Sequence, residues 1–167
     1  MNRPWKIIVA ADEHNAIGKQ GGIPWHLPED FKWFKACTQG NIALMGRKTY
    51  ENLPKKPLPG RANWILSRDE MLEFAGDNVR VFKSPEDVLA AAQNDTRSLW
   101  VCGGAQIYKL CLPYCGEIYL TRVKRVVENP DTFFEFDPSQ FGAPELVRDE
   151  PEFSILKYTR IQPPVFP

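Results

Sequence analysis

The feature of this sequence that most restricts its fold is a series of short runs in which apolar residues are consecutive rather than alternating. Consecutive apolar residues over about 4–8 positions are typical of strands buried on both faces of a sheet. Helix-forming segments lie between the runs, and strands that alternate with helices predict a mainly parallel α/β sheet. The predicted strands are 6–11, 41–45, 62–66, 79–82, 99–102 and 117–123.

Helix signals separate these strands but are missing near the C-terminus. Ser84 precedes Pro85 and two acidic residues, a pattern of N-cap, first helical proline and favourably charged first turn. Segment 145–161 holds strand-like pieces with no helix between them, so we expect an antiparallel hairpin there. The predicted fold is one three-layer α/β domain, residues 1–167, with a central, mainly parallel sheet and an antiparallel C-terminal edge hairpin. About four helices flank the sheet: 27–38, 47–53, one that begins after Ser84, and 105–112.

The length and the charge balance exclude several classes of protein. The chain has 167 residues, with 21 Lys and Arg against 21 Asp and Glu, so its formal net charge is zero. A neutral chain offers no general electrostatic footprint for nucleic acid or for an anionic membrane. No uncharged run approaches the ~18 residues of a membrane span, and the apolar run 7–11 is shorter than a signal-peptide core. We therefore expect no nucleic-acid or membrane partner. Reduced thiols and the lack of a targeting segment predict a cytoplasmic protein, and we expect a monomer because no sizeable apolar stripe is left over after the core.

The cysteines allow two interpretations. Cys37, Cys102, Cys111 and Cys115 are too few and too oddly spaced for a disulfide framework. Cys111 and Cys115 lie at a spacing that places both on one helix face, as a metal pair would. The chain has only two histidines and neither is nearby, which favours buried thiols that act as small hydrophobes. We predict no metal site.

Asp30 is the most informative single residue. In a helix over 27–38, Leu27, Phe31 and Phe34 share one face, and Asp30 lies on the flank of that face. A carboxylate on an apolar surface is costly unless it has a partner. Asp30 is therefore either a structural acid with a partner in the fold or an acid that binds a polar ligand in an apolar pocket. In the second case, desolvation raises the pKa of Asp30.

Glycines end two of the predicted strands and lead directly into helices. Gly46 follows the second strand, and Gly103 and Gly104 follow the fifth. Free N–H groups at a helix start favour an anion, and two such sites indicate a ligand with more than one phosphate. Positive charge nearby comes from Arg47, Lys48 and Arg68. The chain has neither G-x-G-x-x-G nor a P-loop motif, and each glycine taken singly is also explained by a turn or by packing.

The loop 17–25 is rich in glycine and lies between the first strand and the Asp30 helix. This position predicts a mobile lid over the site. Trp25, at the end of the loop, is either a core anchor or a pocket wall. His14 and His26 are expected at the surface, and the chain offers no Ser–His–Asp or Cys–His arrangement.

Further segments join these features in one order along the chain. The segments are 7–11, 17–18, 23–30, 34–35, 45–51, 57–61, 66–67, 101–108, 119–121 and 131–132. Their order and spacing, from Trp5 to about Asp137, resemble those of the dihydrofolate reductase family. The resemblance implies an oxidoreductase that transfers a hydride from NADPH to 7,8-dihydrofolate and yields 5,6,7,8-tetrahydrofolate for one-carbon metabolism. It also implies that antifolate inhibitors bind.

The resemblance assigns roles to individual residues. Asp30 would hydrogen-bond the amino group and a ring nitrogen of the pterin, Thr121 would support Asp30, and Tyr108 would lie near both nicotinamide and pterin. Trp25 would lie beside a water that delivers the proton, and Arg61 would bind the α-carboxylate of the substrate. The implied substrate-binding residues are Ile8, Val9, Asp30, Phe31, Phe34, Lys35, Leu53, Lys55, Leu58, Arg61, Cys102 and Thr121. The implied cofactor-binding residues are Ala10, Ile17, Gly18, Ile23, Gly46, Arg47, Lys48, Thr49, Leu66, Ser67, Arg68, Lys83, Cys102, Gly103, Gly104, Ala105, Gln106, Ile107 and Tyr108. The pair Gly103–Gly104 resembles the family's cis-peptide glycines.

Several positions depart from the family pattern. Lys55-Lys56 carries one residue more than the common short bacterial form, and Asn129-Pro130 stands where one glycine is usual. Cys102 replaces an aliphatic wall residue, and the C-terminal hairpin looks short. Because the 129–130 loop normally braces the lid, we expect the occluded state of the lid to be weak or absent.

Two other functions compete with folate reduction. One is an NADPH-dependent reductase of the same fold that acts on a pyrimidine of riboflavin synthesis. The other is a nucleotide-binding module without catalytic activity. Asp30, Phe34 and Arg61 stand at positions that, by the resemblance, serve pterin and glutamate, which argues against the first. The intact acid, lid and tyrosine argue against the second.

Overall fold

An eight-stranded sheet forms the centre of the computed structural model, which describes residues 3–19, 23–69, 76, 78–164 and 166. The strands lie in the order β5-β4-β3-β6-β1-β7-β10-β9. Their bounds are β1 Trp5–Ala11, β3 Ile42–Gly46, β4 Ala62–Leu66, β5 Val79–Phe82, β6 Leu99–Val101, β7 Cys115–Val123, β9 Glu145–Asp149 and β10 Phe153–Thr159. Strands from β5 through β7 are parallel, whereas β10 runs antiparallel to both β7 and β9. The predicted mainly parallel sheet with an antiparallel edge hairpin is confirmed.

The four helices begin where the sequence predicts, within one residue. They are α1 Pro28–Thr38, α2 Arg47–Glu51, α3 Pro85–Ala92 and α4 Ala105–Cys111. Ser84 caps α3 because its hydroxyl accepts a 3.2 Å hydrogen bond from the Asp87 N–H. Helix α2 ends two residues before the predicted Leu53, because Pro54 disfavours helical backbone at the residue before it. None of the described helices is long and apolar enough to cross a membrane.

Strand alternation divides the core into two layers. Ile7 and Val9 of β1 pack with Val88 of α3 and Tyr108 of α4 on one face of the sheet. On the other face, Leu27, which precedes α1, packs with Val123, Phe153 and Ile155 of β7 and β10. The sheet therefore lies between α3 and α4 on one side and α1 on the other, as the three-layer prediction requires.

A second, two-stranded sheet was not predicted. Strand β2 (Ala16–Gly18) pairs antiparallel with β8 (Thr132–Phe133), and both are too short for a recognisable sequence pattern. Asp12 has no exposed surface and joins the start of β2 to the segment that follows β7. Its carboxylate accepts hydrogen bonds from the N–H groups of His14, Ala16 and Val127 at 2.7–2.8 Å.

The predicted lid is described only in part, because residues 20–22 lie outside the described residues. At its base, the Asp131 N–H donates to the carbonyl of Gly18 over 3.2 Å. Asn129 has φ of +52°, a left-handed conformation that asparagine tolerates and glycine adopts freely. This backbone explains how asparagine occupies the position at which the family resemblance implies glycine.

The cysteine thiols are free. Cys111 and Cys115 are buried, and the Cys115 thiol donates to the carbonyl of Cys111 over 3.2 Å. In the part of the chain that the structure describes, no cluster of three or more His, Cys, Asp or Glu residues could hold a metal ion.

Candidate active site

The apolar face of α1 is not covered by the protein. Within α1, only Thr38 is buried, while Phe31 is 50% exposed and Phe34 is half-buried. An amphipathic helix normally buries its apolar face against the core. Here that face stays exposed, and its Asp30 contacts Thr121 near the carboxyl end of β7, at the edge where ligands bind in open α/β sheets. The open surface beside this face is called the cleft below, and the face is its wall.

Asp30 lies on this wall with one carboxylate oxygen engaged. The buried hydroxyl of Thr121, on β7, donates a 2.7 Å hydrogen bond to Oδ1 of Asp30. Oδ2 receives no hydrogen bond from the residues that the structure describes. Burial raises the pKa of Asp30 above its ordinary value, although the Thr121 hydroxyl and the charge of Arg148 act in the opposite direction. The carboxylate thus has a structural partner and also keeps an oxygen for a ligand.

The floor beneath Asp30 is apolar. Trp25 and Trp33 are half-buried and pack, with Ala10, against the cluster of Leu27, Val123, Phe153 and Ile155. Trp25 is therefore a core contact, and its role as a pocket wall stays a prediction. Ile23, the first described residue after the gap at 20–22, is 64% exposed.

Tyr108 is buried at the cleft end of α4. Its hydroxyl donates a 2.8 Å hydrogen bond to the carbonyl of Ile8 on β1. Burial raises the pKa of Tyr108 well above its ordinary value. The phenol therefore stays protonated, and its O–H group is already used in a hydrogen bond to the β1 backbone. This arrangement suits a residue that positions β1 and does not suit a proton donor.

The glycines at the ends of β3 and β6 lie side by side. The Gly46 N–H donates to the carbonyl of Gly103 over 2.9 Å, and the Gly103–Gly104 peptide bond is cis, as the resemblance implies. A Cβ on Gly46 would lie 2.9 Å from Cγ1 of Ile107, so a side chain there would collide with α4. A Cβ on Gly104 would meet only Thr49 Oγ1, at 3.7 Å. The backbone at Gly104 is thus open to an approaching group, and the Thr49 hydroxyl lies beside it.

Positively charged residues follow the C-terminal ends of β3, β4 and β5. Arg47 forms ion pairs with Glu51 and, at 3.1 Å, with Asp69, so this arginine is already partnered. The Ser67 hydroxyl accepts a 3.2 Å hydrogen bond from the Asp69 N–H. The remaining cations predicted here are exposed: Lys48, Arg68 and Lys83. A phosphate at this edge of the sheet would meet exposed positive charge and would displace Asp69 to reach Arg47.

Arg61 lies at the far end of α1 and is only 7% exposed. Its Nε donates to the carbonyl of Pro59 over 2.9 Å, and its Nη1 donates to Thr38 Oγ1 over 3.3 Å. Burial lowers the pKa of Arg61 from its very high ordinary value. Within the described residues, Nη2 makes no hydrogen bond and is free for a carboxylate.

The remaining predicted residues divide between the cleft and the opposite core. Leu53, Leu58 and Cys102 are half-buried and pack against one apolar cluster beside the cleft. Val9 and Leu66 belong instead to the core that faces α3 and α4, because alternation along β1 and β4 turns their side chains away; only their backbone is left for a ligand. Ile8 is buried, Ile17 and Ala105 are half-buried, and Lys35, Lys55 and Gln106 are exposed.

Two residues that shape the site were not predicted. The buried Asn63 side chain holds the loop before it, with hydrogen bonds to Leu58 N–H (2.8 Å), Leu58 C=O and Arg61 C=O (both 3.0 Å). The sequence indicated a special role for Asn63, because it is a polar residue inside the apolar run 62–66. Arg148, on β9, contacts Glu29 of α1 at 3.3 Å. No sequence pattern pairs two residues separated by 119 positions.

Known proteins resemble the chain over most of its length. Residues 5–158 match the family model described as dihydrofolate reductase. A dihydrofolate reductase of Neisseria gonorrhoeae is 38% identical over 139 residues, covering 83% of this chain and 84% of the relative. One of Lactococcus lactis subsp. lactis (strain IL1403) is 35% identical over 165 residues, covering 94% and 98%. The solved dihydrofolate reductase from Enterococcus faecalis complexed with NADP(H) and RAB-propyl is similar with a TM-score of 0.80 and 34% identity, covering 95% of this chain and 97% of that one.

Proposed function

This chain belongs to the dihydrofolate reductase family and reduces 7,8-dihydrofolate to 5,6,7,8-tetrahydrofolate with NADPH, and we propose that Asp30 is the residue that binds the pterin ring. The observation that carries the proposal is the Asp30–Thr121 pair on an uncovered apolar wall. An ionised carboxylate accepts two parallel hydrogen bonds, and the amino group and ring N–H of a pterin present two donors side by side. The exposed ring of Phe31 and the half-buried ring of Phe34 would contact the bound substrate.

Tyr108, Trp25 and Asp30 have different roles in the proposed reaction. NADPH, when bound, supplies the hydride. Tyr108 positions the β1 backbone at Ile8 and keeps its own proton, so the proton for the pterin nitrogen comes from solvent. Trp25 stands where the lid joins the cleft and would bound the path of that water. Asp30 orients the ring and, through its charge, favours protonation of the adjacent nitrogen.

The cofactor fits the glycine edge of the sheet. Gly46, Gly103 and Gly104 present backbone without side chains, which allows a pyrophosphate to approach closely. Thr49 and Ser67 add hydroxyl donors, and Arg68 adds exposed positive charge for a 2′-phosphate. The nicotinamide would lie toward Ala10 and Ile17, near the first residues of the lid.

Arg61 is proposed to bind the α-carboxylate of the substrate's glutamate. The hydrogen bonds to Pro59 and Thr38 hold the guanidinium in place, and a held guanidinium loses little freedom when it binds a carboxylate. We further propose that the protein is a cytoplasmic monomer that binds antifolate inhibitors in the same cleft.

Loss of NADPH absorbance on addition of dihydrofolate tests the proposal, with NADH measured alongside. We expect rapid loss with NADPH and slow loss with NADH, and a smaller preference for NADPH in the Arg68→Ala variant. Folded protein that binds NADPH but does not oxidise it would favour the riboflavin-pathway reductase or the non-catalytic module.

A further inference from the structure

Arg148 joins the C-terminal hairpin to the helix that carries Asp30. From β9, its Nη2 contacts Glu29 Oε2 of α1 at 3.3 Å, and its Nε contacts Glu150 Oε1 at 2.8 Å. The guanidinium also lies 5.6 Å from the centre of the Phe153 ring. One half-buried side chain therefore contacts both strands of the hairpin region and the first turn of α1.

The start of α1 depends on such contacts because it lacks its own cap. Leu27 stands at the N-cap, makes no side-chain hydrogen bond to the helix, and is followed by Pro28. Uncapped N–H groups leave the first turn of a helix prone to fraying. Among the contacts that hold this turn to the fold, the Asp30–Thr121 hydrogen bond leads to β7. The packing of Leu27 with Phe153 and the Glu29–Arg148 ion pair lead to the hairpin.

Arg148 also contributes positive charge near Asp30. The ionisable groups coupled to Asp30 within the described residues are Arg148 on β9, Tyr108 on α4 and Cys37 on α1. Burial raises the pKa of Tyr108 well above its ordinary value and that of Cys37 to about 11, so both groups are uncharged at neutral pH. Arg148 is therefore the charged member of this set, and it favours the ionised carboxylate.

We propose that Arg148 is a positioning residue for the reaction, which holds the first turn of α1 against the C-terminal hairpin and so holds the Asp30 carboxylate, with a positive charge nearby, next to the bound pterin. The inference rests on the proposed role of Asp30. Removal of Arg148 frees the helix start from the hairpin, leaves Glu29 paired with Lys32 alone and removes the ion pair between Glu150 and Arg148. Both the orientation and the ionisation of Asp30 are therefore expected to change.

The test is a carboxyl-carbon NMR titration of the full chain with ¹³C-labelled aspartate and bound NADP⁺. The Asp30 signal is assigned by its loss in Asp30→Asn. In Arg148→Met we expect the Asp30 titration midpoint to move to higher pH, with partial return in Arg148→Lys. We also expect KM for dihydrofolate to rise about two- to fivefold, the range of a partly exposed ion pair, with KM for NADPH unchanged.

Lys124→Met is the matched control. Lys124 contacts Asp149 Oδ1 at 2.8 Å and the carbonyl of Glu150 at 2.7 Å, so its removal also breaks an ion pair of the hairpin. No coupling links Lys124 to Asp30, and both readouts should stay at wild-type values in this variant. An equal shift in Lys124→Met and Arg148→Met would reduce Arg148 to a structural contact and overturn the proposal.

Salt provides a second measurement. The Arg148 side chain is 33% exposed, and Glu29 and Glu150 beside it are 53% and 36% exposed, so added salt screens all three charges. The difference in Asp30 midpoint between the wild type and Arg148→Met should therefore shrink as ionic strength rises, and an equal midpoint in the two proteins at every ionic strength rejects the proposal. Full activity of Asp30→Asn, by contrast, would contradict the proposed function itself, whatever Arg148 does.

Discussion

Thr121 donates a 2.7 Å hydrogen bond to Asp30 and so ties the exposed wall of the cleft to a central strand of the sheet. The bond stabilises the ionised carboxylate in a place where burial opposes ionisation. In the ligand-free fold, the ionised Asp30 carboxylate is therefore destabilised by burial, and a ligand that donates hydrogen bonds to it would relieve that cost. The first two predictions concern this cost.

Asp30→Asn should keep NADPH binding and lose turnover about 10²-fold or more at neutral pH, because the amide cannot accept both pterin hydrogen bonds as an anion does. Part of the activity should return as pH falls, since solvent then protonates the pterin more readily. Steady-state rates between pH 5 and 8 with NADPH titrations check this. Unchanged turnover across that range would remove Asp30 from the mechanism.

The same substitution should stabilise the ligand-free protein. The pKa of Asp30 is raised in the folded state, so ionisation as pH rises above its ordinary value of 3.8 costs folding free energy. An uncharged asparagine side chain at this position avoids the cost, and the Tm of Asp30→Asn should exceed that of the wild type at pH 7 and approach it near pH 3. Scanning calorimetry at both pH values tests the sign, and a lower Tm at pH 7 would contradict it.

Thr121→Val should raise the pKa of Asp30 further, because valine keeps the shape of threonine but cannot donate. Loss of a hydrogen bond to a charged group costs about 1.5–3 kcal/mol, which corresponds to about tenfold or more in the acid dissociation constant of Asp30. A cationic diaminopteridine inhibitor pairs with ionised Asp30. As pH is lowered, Thr121→Val should therefore begin to lose affinity for this inhibitor at a higher pH than the wild type does. Thr121→Ser retains the donor and serves as the control in the same binding titrations.

Arg61→Leu should weaken dihydrofolate binding about tenfold or more and leave KM for NADPH nearly unchanged, because only the substrate carries the α-carboxylate. A reduced pterin without the glutamate tail is the control substrate, and its kcat/KM should respond little to the substitution. Equal losses for dihydrofolate, the truncated substrate and NADPH would show that Arg61 acts through its contacts to Pro59 and Thr38 alone.

Asp12→Asn should destabilise the fold by about 1–3 kcal/mol, since one of the three N–H donors loses its partner. Burial acts to raise the pKa of Asp12, but these donors lower it below 3.8 overall. The Asp12 contribution is thus complete above the ordinary aspartate pKa and is lost as pH falls through the native value. Urea unfolding should show the deficit at pH 7 and a smaller one near pH 3, with the exposed Glu13→Gln as control.

The centre of the sheet was predictable because β3, β4 and β6 are buried on both faces and therefore appear as unbroken apolar runs. Strands β2 and β8 were not, because three- and two-residue pairings leave no periodicity to detect. Asp30 could be singled out because its helix has a regular apolar face that a carboxylate interrupts. Its partner Thr121 lies 91 residues away and was reached only through the family resemblance.

The electrostatics of the site were the least predictable part. The sequence places Arg47 beside the glycines, but not the acids Glu51 and Asp69 that neutralise it. The ion pair between Arg148 and Glu29 was not predictable, because a single arginine in a predicted hairpin has the same sequence pattern as any solvent-exposed cation. Such pairings are determined by how distant elements meet in space, which local patterns do not record.

The place of β1 in the sheet has a consequence for how the protein is made. The first strand to be synthesised lies between β6 and β7, which the ribosome completes only after residues 99–123 have been added. Until then both edges of β1 are unpaired, and apolar strand edges are sites of aggregation. A stalled or truncated chain that ends before β6 therefore exposes the centre of the future sheet, and such fragments should require chaperones to stay in solution.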